Sequence, residues 1–436
     1  MLRKIVSPLL FLAALLLVSA APSQARVYLD ITSAEFRKIP VAVPYFVDKA
    51  LPGQTTESGR RMADLLSRAL DFHGFLGVIP PERYGGRQDA DWQALGAELV
   101  VLGQVERSQY GVVLDLRMND IQEGRLVLAR RYRCAPRDQG AMIRKFCDEA
   151  ILKLTGVPGI SSTKIAFVSD ASGHKEIWLA DVLGEEMRQV THHRFLAVCP
   201  RFSPDGRILA YTSYHRGNPD LYMTDLSQTK TTRAVSRRPG LNMAPAWSPD
   251  GRTLAITLSR DGNSDLYLMT PGGKIIEQLT KNAGLNVSAS WSPDGSRLAF
   301  VSDRAGTPQI YIMDVKTKAV SRLTFQGNYN TSPSWSPQGD SIVYSGRQGG
   351  QYHLFTISPQ GGTPVQITHG GGDHESPCWA PDGRQIVFAR KIGGRQEICA
   401  IFRNGSGLRP LFPGKGNQSF PQWSPRLELA TGFSVQ

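Results

Sequence analysis

Apolar and polar residues alternate in short runs through the second two thirds of this chain. "KIAFVSD", beginning at Lys164, is followed at regular intervals by "RILAYTS", "TLAITLS", "RLAFVSD", "SIVYSGR" and "QIVFARK", each reading as a strand. A polar loop then leads to a second strand: "EIWLADV", "DLYMTDL", "DLYLMTP", "QIYIMDV", "HLFTISP" and "EICAIFR". A shorter third follows, as "RQVT", "RAVS", "EQLT", "SRLT", "VQIT" and "RPLF". The unit ends in a phrase such as "PAWSPDG", whose aromatic positions Phe202, Trp247, Trp291, Trp335, Trp379 and Trp423 lie 45, 44, 44, 44 and 44 residues apart. Six copies of a four-strand unit at that period predict an all-β six-bladed propeller.

The repeated phrase reads as shape. Its Pro fixes φ at the first central position of a turn, Asp tolerates the second, and Gly takes the left-handed position that starts the next strand. Gly206, Gly251, Gly295, Gly339 and Gly383 are the turn glycines. The aromatic residue before each turn is expected to wedge between blades. The first unit has no such phrase before it, and the last, "PQWSP", has only a short tail after it. The strand near Phe420–Ser424 is therefore predicted to fill the inner position beside Lys164–Asp170 and close the ring.

Upstream the grammar is mixed. "RVYLDI" and "IPVAVPYF" read as strands, and Met62, Leu65, Leu66, Ala69 and Leu70 recur at helical spacing behind the candidate caps Thr55 and Thr56. "GFLGVIP" reads as a strand. Residues 89–134 read as a short helix and three strands, with turns at Gln109–Tyr110–Gly111 and Gln122–Glu123–Gly124. An amphipathic helix, "MIRKFCDEAILKLTG", stops at Gly156. The expected organisation is a signal peptide at 1–25, an N-terminal α/β domain of α+β class at 26–156, a linker at 157–163 and the propeller at 164–436.

The signal peptide reading rests on Arg3 and Lys4, the apolar run Leu9–Val18, and Ser23 and Ala25 before a cleavage point near Arg26. It implies export. Formal net charge is +12, or +10 without Arg3 and Lys4, and is scattered apart from knots such as "RRYR" at Arg130–Arg133. With no recognition helix or stacking signature, the charge suits an anionic envelope surface or an acidic partner, not nucleic acid. The five cysteines, Cys134, Cys147, Cys199, Cys378 and Cys399, contain no CxxC pair, so zinc-ribbon and thioredoxin-like readings lack support. Buried or unpaired thiols are expected.

Residues every blade needs are scaffold, so the search for function turns to what varies. The segments entering the inner strands differ: "HHRFLAV", "RRPGLNMA", "KNAGLNVSA", "FQGNYNTS" and "HGGGDHES". With loops such as "SDRAGTPQ" and "RQGGQYH" they gather at one end of the ring as a surface suited to a protein segment. The competing class is catalysis. His174, His192 and His193, or His369 with Asp373, His374 and Glu375, are the candidate metal or acid/base groups, giving as the alternative an exported propeller hydrolase or metal-dependent enzyme at the channel mouth. Neither an H-E-x-x-H set nor a G-x-S-x-G elbow is present.

The opening "RVYLDI…IPVAVPYF", the passage "EAILKLTGVPGISSTKIAFVS" and six "P-x-W-S-P-D-G" units ending in "FPQWSP" together resemble the TolB family of periplasmic propellers. The resemblance implies a non-enzymatic component of the Tol-Pal envelope system, without cofactor or metal. It would bind the lipoprotein Pal at the channel mouth and TolA through its N-terminal segment. It would support outer-membrane integrity and cell division and be exploited by bacteriocins, working as a monomer tied to membranes and other outer-membrane lipoproteins through partners. Carried onto this sequence, the Pal surface comprises Leu241, Asn242, Met243 and Ala246, with Asn286, Val287, Asn330, Thr331, His374 and Glu375. The N-terminal switch comprises Arg26, Val27, Tyr28, Leu29, Asp30, Ile31, Thr32 and Ser33. Departures from the family pattern are Phe202 for Trp, Ala289 for Pro and Gln338 for Asp.

Overall fold

Alternation and turn chemistry resolve into two units in the computed structural model, which describes residues 37–51, 53–227, 231–414, 416–427 and 434–435. The signal peptide, "RVYLDI" and the N-terminal switch lie outside the described residues.

The first unit is a mixed sheet with two helices on one face. Its strands are β1 (Ile39–Ala42), β2 (Val47–Asp48), β3 (Leu76–Val78), β4 (Leu99–Ser108), β5 (Gly111–Asp120) and β6 (Arg125–Cys134), in the order β3-β1-β4-β5-β6 with β2 beside β4. Ser434–Val435 adds two residues to the β6 edge. Helix α1 (Glu57–Phe72) starts at Thr56, whose hydroxyl accepts the Gly59 N–H at 3.2 Å. Helix α2 (Gln139–Thr155) ends on Gly156 at φ 75°, the left-handed stop its sequence predicts. Met62, Leu66 and Leu70 of α1 pack with Met142, Phe146 and Ile151 of α2 over Leu114 and Leu116 of β5. The helix expected after residue 89 is instead a run of turns. Asp91 caps Ala94 and Gly96 turns to φ 73°, so the segment ends before a helix can propagate.

The second unit is the six-bladed propeller, each blade a four-stranded antiparallel sheet. Blade 1 comprises β7 (Lys164–Ser169), β8 (Glu176–Asp181), β9 (Met187–Gln189) and, innermost, Gln418–Trp423 from the other end of the chain. Gln418 opposes Ser169 and Trp423 opposes Ile165, so the ring closes on its own C-terminal strand as the repeat count requires. The inner strands of blades 2 to 6 are Ala197–Phe202, Asn242–Trp247, Asn286–Trp291, Asn330–Trp335 and Asp373–Trp379.

The turn after the inner strand of blades 2 to 6 has the left-handed glycine, with Gly206, Gly251, Gly295, Gly339 and Gly383 at φ 71°, 70°, 71°, 77° and 68°. Asp does more there than tolerate a conformation. Asp294 accepts the Ser292 hydroxyl and the Ser296 N–H, and these bonds hold its carboxyl down at about 2. Gln338 leaves that role and reaches across to the Asp382 carbonyl at 3.2 Å. The indoles bridge blades: Trp291 Nε1 donates to Ala246 O at 3.0 Å and Trp379 Nε1 to Ser334 O at 3.1 Å. Trp335 instead bonds Gly339 in its own turn.

Two outcomes are expected. Trp379→Ala removes a buried indole from a seam and should lower unfolding free energy by about 3–5 kcal/mol in urea titrations. Deleting residues 418–436 should abolish the single cooperative melting transition; a truncated chain that melts like the full one would show that ring closure contributes nothing.

Candidate partner-docking rim

The two ends of the ring carry different loops. At one end lie the "SPDG" turns, and the N-terminal unit sits there over blades 6 and 1. Gln385 and Arg409 donate to the Phe72 carbonyl at 3.0 and 3.3 Å, and Phe72 packs against Trp423 with ring centroids 6.3 Å apart. Arg409 stacks on Phe72 and Phe402 at 4.6 and 5.2 Å, and its burial draws the guanidinium pKa down to about 10.

The segment between the units is a linker by composition and a clamp by structure. Ile160 and Ser161 are fully buried. The Asp148 carboxylate accepts the Ser161 and Ser162 N–H groups at 2.6 and 2.9 Å, and His73 Nε2 accepts the Ile160 N–H at 3.1 Å. His73, Cys147 and Asp148 stand close enough to suggest a metal site. However, His73 Nδ1 is spent on the Ala69 carbonyl, and Cys147 Sγ accepts from Ser161. The cluster therefore braces the backbone. All five cysteines are free, with Cys199 alone half-buried.

At the opposite end each third or outer strand leads to the next inner strand through a loop held at both ends. The anchors before the loops are Thr191, Ser236, Thr280, Thr324, Thr368 and Phe412; those after are Ala197, Asn242, Asn286, Asn330, His374 and Gln418. Five residues separate every pair. Thr280 Oγ1 accepts the Leu266 N–H at 2.9 Å and donates to Asp265, which also accepts from Asn286 at 3.1 Å. Gln309 takes the same place between Thr324 and Asn330, at 2.7 and 2.8 Å. Such seams keep buried polar groups paired.

The carried-over contact residues fall into two sets. Asn242, Asn286, Asn330 and His374 are buried, at 0, 0, 2 and 1 % exposure. The asparagine amides serve their own loops: Asn242 binds the Arg238 and Gly240 carbonyls and receives the Ser236 hydroxyl. All four thus lie at the buried base of five-residue rim loops, not on the exposed rim itself. Ala246 is also buried and lines the channel. Leu241, Met243, Val287, Thr331 and Glu375 are half-buried around the mouth. Burial pushes the Glu375 carboxyl up, with Asp373 adding to the effect.

Just inside the mouth, one residue of every inner strand, the third in five of them and the fourth in Asp373–Trp379, has left-handed backbone: Cys199, Ala244, Ser288, Ser332, Ser376 and Phe420, with φ between 50° and 56°. A register shift follows each, so the strands bulge into the channel. Non-glycine residues pay about 1–3 kcal/mol for such a conformation. They line a channel of about 330 Å³.

Four residues in the mouth loops escaped selection from the sequence. Phe195, Phe325, Tyr329 and Ile392 are 52, 72, 39 and 46 % exposed. Their signal was an aromatic or aliphatic side chain inside an otherwise polar loop, as in "FQGNY". The histidine sets also rearrange. His174 and His192 are exposed, while His193 stacks on His215 at 4.4 Å and bonds Tyr211 at 3.0 Å. His369 is exposed, and His374 faces His353 of the preceding blade, ring centroids 5.6 Å apart.

Burial lowers the His73 pKa from 6.5 to about 4. The unfolded chain therefore takes up this proton first, so the stabilisation is complete above pH 6.5 and is lost as pH falls toward 4. The loss amounts to roughly 3 kcal/mol. His73→Gln should lose less stability than the parent between pH 7.5 and 4.5 in denaturant titrations.

Comparison with known proteins agrees with this architecture. The family described as TolB beta propeller domain matches residues 151–427, and TolB amino-terminal domain matches residues 27–127. A Tol-Pal system protein TolB of Desulfotalea psychrophila is 45 % identical over 225 residues, covering 52 % of this chain and 51 % of that protein. One of Desulfosudis oleivorans is 38 % identical over 287 residues, covering 63 and 65 %. The alignments thus span about half to two thirds of these curated relatives. The crystal structure of TolB from Acinetobacter baumannii superposes with a TM-score of 0.77 at 28 % identity, covering 90 % of this chain and 98 % of that one. With both units matched in order and the ring closed as the repeats require, the chain belongs to the TolB family.

Proposed function

We propose that this chain is a non-enzymatic periplasmic component of a Tol-Pal system, docking the lipoprotein Pal on the open rim of its propeller. The observation that carries this reading is the difference between the two ends. One is occupied by the N-terminal unit, whereas the other presents Phe195, Phe325, Tyr329 and Ile392 around a preformed mouth. Aromatic anchors within a polar rim are what protein interfaces use. Leu241, Met243, Val287, Thr331 and Glu375 form an inner ring of contacts in this reading, and the buried Asn242, Asn286, Asn330 and His374 act by holding the loops in shape. The names of the relatives point to the same system.

The division into a signal peptide at 1–25, an N-terminal domain at 26–156, a joining segment at 157–163 and a propeller at 164–436 fits an exported protein cleaved near Ala25. Segment 26–33 would engage TolA and modulate Pal binding, linking the chain to outer-membrane integrity and cell division. No described helix is long and apolar enough to cross a membrane. An enzyme reading is less well supported, because the candidate histidines do not share one setting: His374 is buried in a seam while His174, His192 and His369 are exposed.

Calorimetry with purified Pal tests the proposal. Replacing Phe325 and Tyr329 together by Ala should weaken binding at least about tenfold, since exposed aromatic anchors carry much of such affinities. The melting temperature should hold, as both rings lie outside the core. Unchanged affinity would sink the rim as the docking surface. Removing residues 26–33 should shift Pal affinity if the segment is coupled to the mouth.

A further inference from the structure

Two adjacent seams between blades share one design at the mouth end. In each, the first residue of the strand that follows the polar loop meets the first inner-strand residue of the next blade. Asp265 meets Asn286 at 3.1 Å and Gln309 meets Asn330 at 2.8 Å, each by a direct hydrogen bond. Between blades 5 and 6 the same two positions are His353 and His374, as strand register confirms: Gln309 opposes Ser302 and His353 opposes Gly346. The direct bond is gone. Both rings are buried, at 9 and 1 % exposure, and the Nδ1 atom of each has no hydrogen-bond partner. Two unpaired nitrogens in one buried seam are unusual, because such groups are normally satisfied.

We propose that this seam is a site for a borderline divalent cation such as Zn²⁺, with His353 Nδ1 and His374 Nδ1 as its protein ligands. Imidazole nitrogen suits such cations, and two histidines on adjacent strands supply it from rigid elements. Each ring thus leaves a buried Nδ1 without a partner in the seam, and a neutral imidazole offers a lone pair from such a nitrogen. Asp373 is engaged by the Tyr352 N–H at 3.0 Å, and among the described residues no third His, Cys, Asp or Glu completes a set of ligand atoms with the pair, which leaves the remaining coordination positions to water. An ion here would join blades 5 and 6 directly beneath the rim, replacing the Gln–Asn bond of the neighbouring seam. This inference stands apart from the Pal-docking reading, since it needs no partner.

The test uses the full chain freed of metal with a chelator, titrated with Zn²⁺ alone by calorimetry. One ion per chain is expected. The double variant His353→Gln with His374→Asn rebuilds the Gln309–Asn330 pair, so it should keep its melting temperature and bind Zn²⁺ at least about 100-fold more weakly, as loss of both ligands exceeds the loss of supporting contacts. A stripped parent that takes up no Zn²⁺, or a double variant that binds it equally well, overturns the proposal. Equal binding would direct attention to the stacked His193 and His215. Should the variant fail to fold, electron paramagnetic resonance of the Cu²⁺-loaded parent decides: nitrogen splitting from two imidazoles supports the site, and a spectrum without it overturns it.

Discussion

The antiparallel pairing of Gln418–Trp423 with β7 is the constraint on which the propeller depends. Without it, blade 1 would show a bare inner edge and blade 6 would lack its neighbour. The pairing is reinforced on both sides. Ser424 exchanges bonds with Lys164, its N–H donating to the carbonyl at 2.8 Å and its hydroxyl accepting the amide at 2.9 Å. Trp423 donates from Nε1 to Thr163 at 2.8 Å. Arg426 then reaches the carbonyls of Pro158, Gly159 and Pro381. Closure of the ring, fixing of the interdomain segment and seating of the N-terminal unit are therefore one event in one place. The residues that latch the ring also set where the first unit sits.

Inside the ring, apolar and polar contacts divide the work. Phe167, Tyr211, Ile256, Phe300, Tyr344 and Phe388 occupy equivalent buried positions and supply nondirectional burial. Toward the mouth, the seams become polar: Thr191, Thr280, Thr324 and Thr368 each accept a backbone N–H from the adjacent strand at 2.8 or 2.9 Å. Those bonds are directional. They fix the angle at which each inner strand enters, and hence the left-handed residues that follow, such as Ser288 and Ser332. Strain at six equivalent positions persists because the seam on one side and the indole wedge on the other over-determine the backbone between them.

The sequence made the blade count, the turn glycines and the closing strand legible, because each is set by local chemistry repeated at a fixed interval. Thr56 and Gly156 were legible for the same reason: caps act within one helical turn. What it hid involves partners distant along the chain. His353 and His374 belong to different blades, and nothing in "QYHLF" or "GDHES" alone announces the other. The segment "GVPGISST" has the composition of a free linker, yet contacts from His73, Asp148 and Arg426 bury it. Asn286 was placed at the docking surface by family resemblance alone; what the sequence did not show is that Asp265 and the Arg304 guanidinium claim its amide at 3.1 and 2.8 Å.

The constant five-residue interval between loop anchors explains how one scaffold can keep its stability while its rim changes. Thr324 and Asn330 are tied to Gln309, so the backbone entering and leaving "FQGNY" is fixed whatever side chains lie between. The same holds for "KNAGL" between Thr280 and Asn286. Phe325 can then stand 72 % exposed without loosening the blade beneath it, because its burial was never part of the fold. Recognition drawn from such positions costs the core little, whereas a change at an anchor would disturb loop, seam and channel backbone together. The physical division therefore runs within each loop, between anchors that answer to the ring and the tips that answer to a partner.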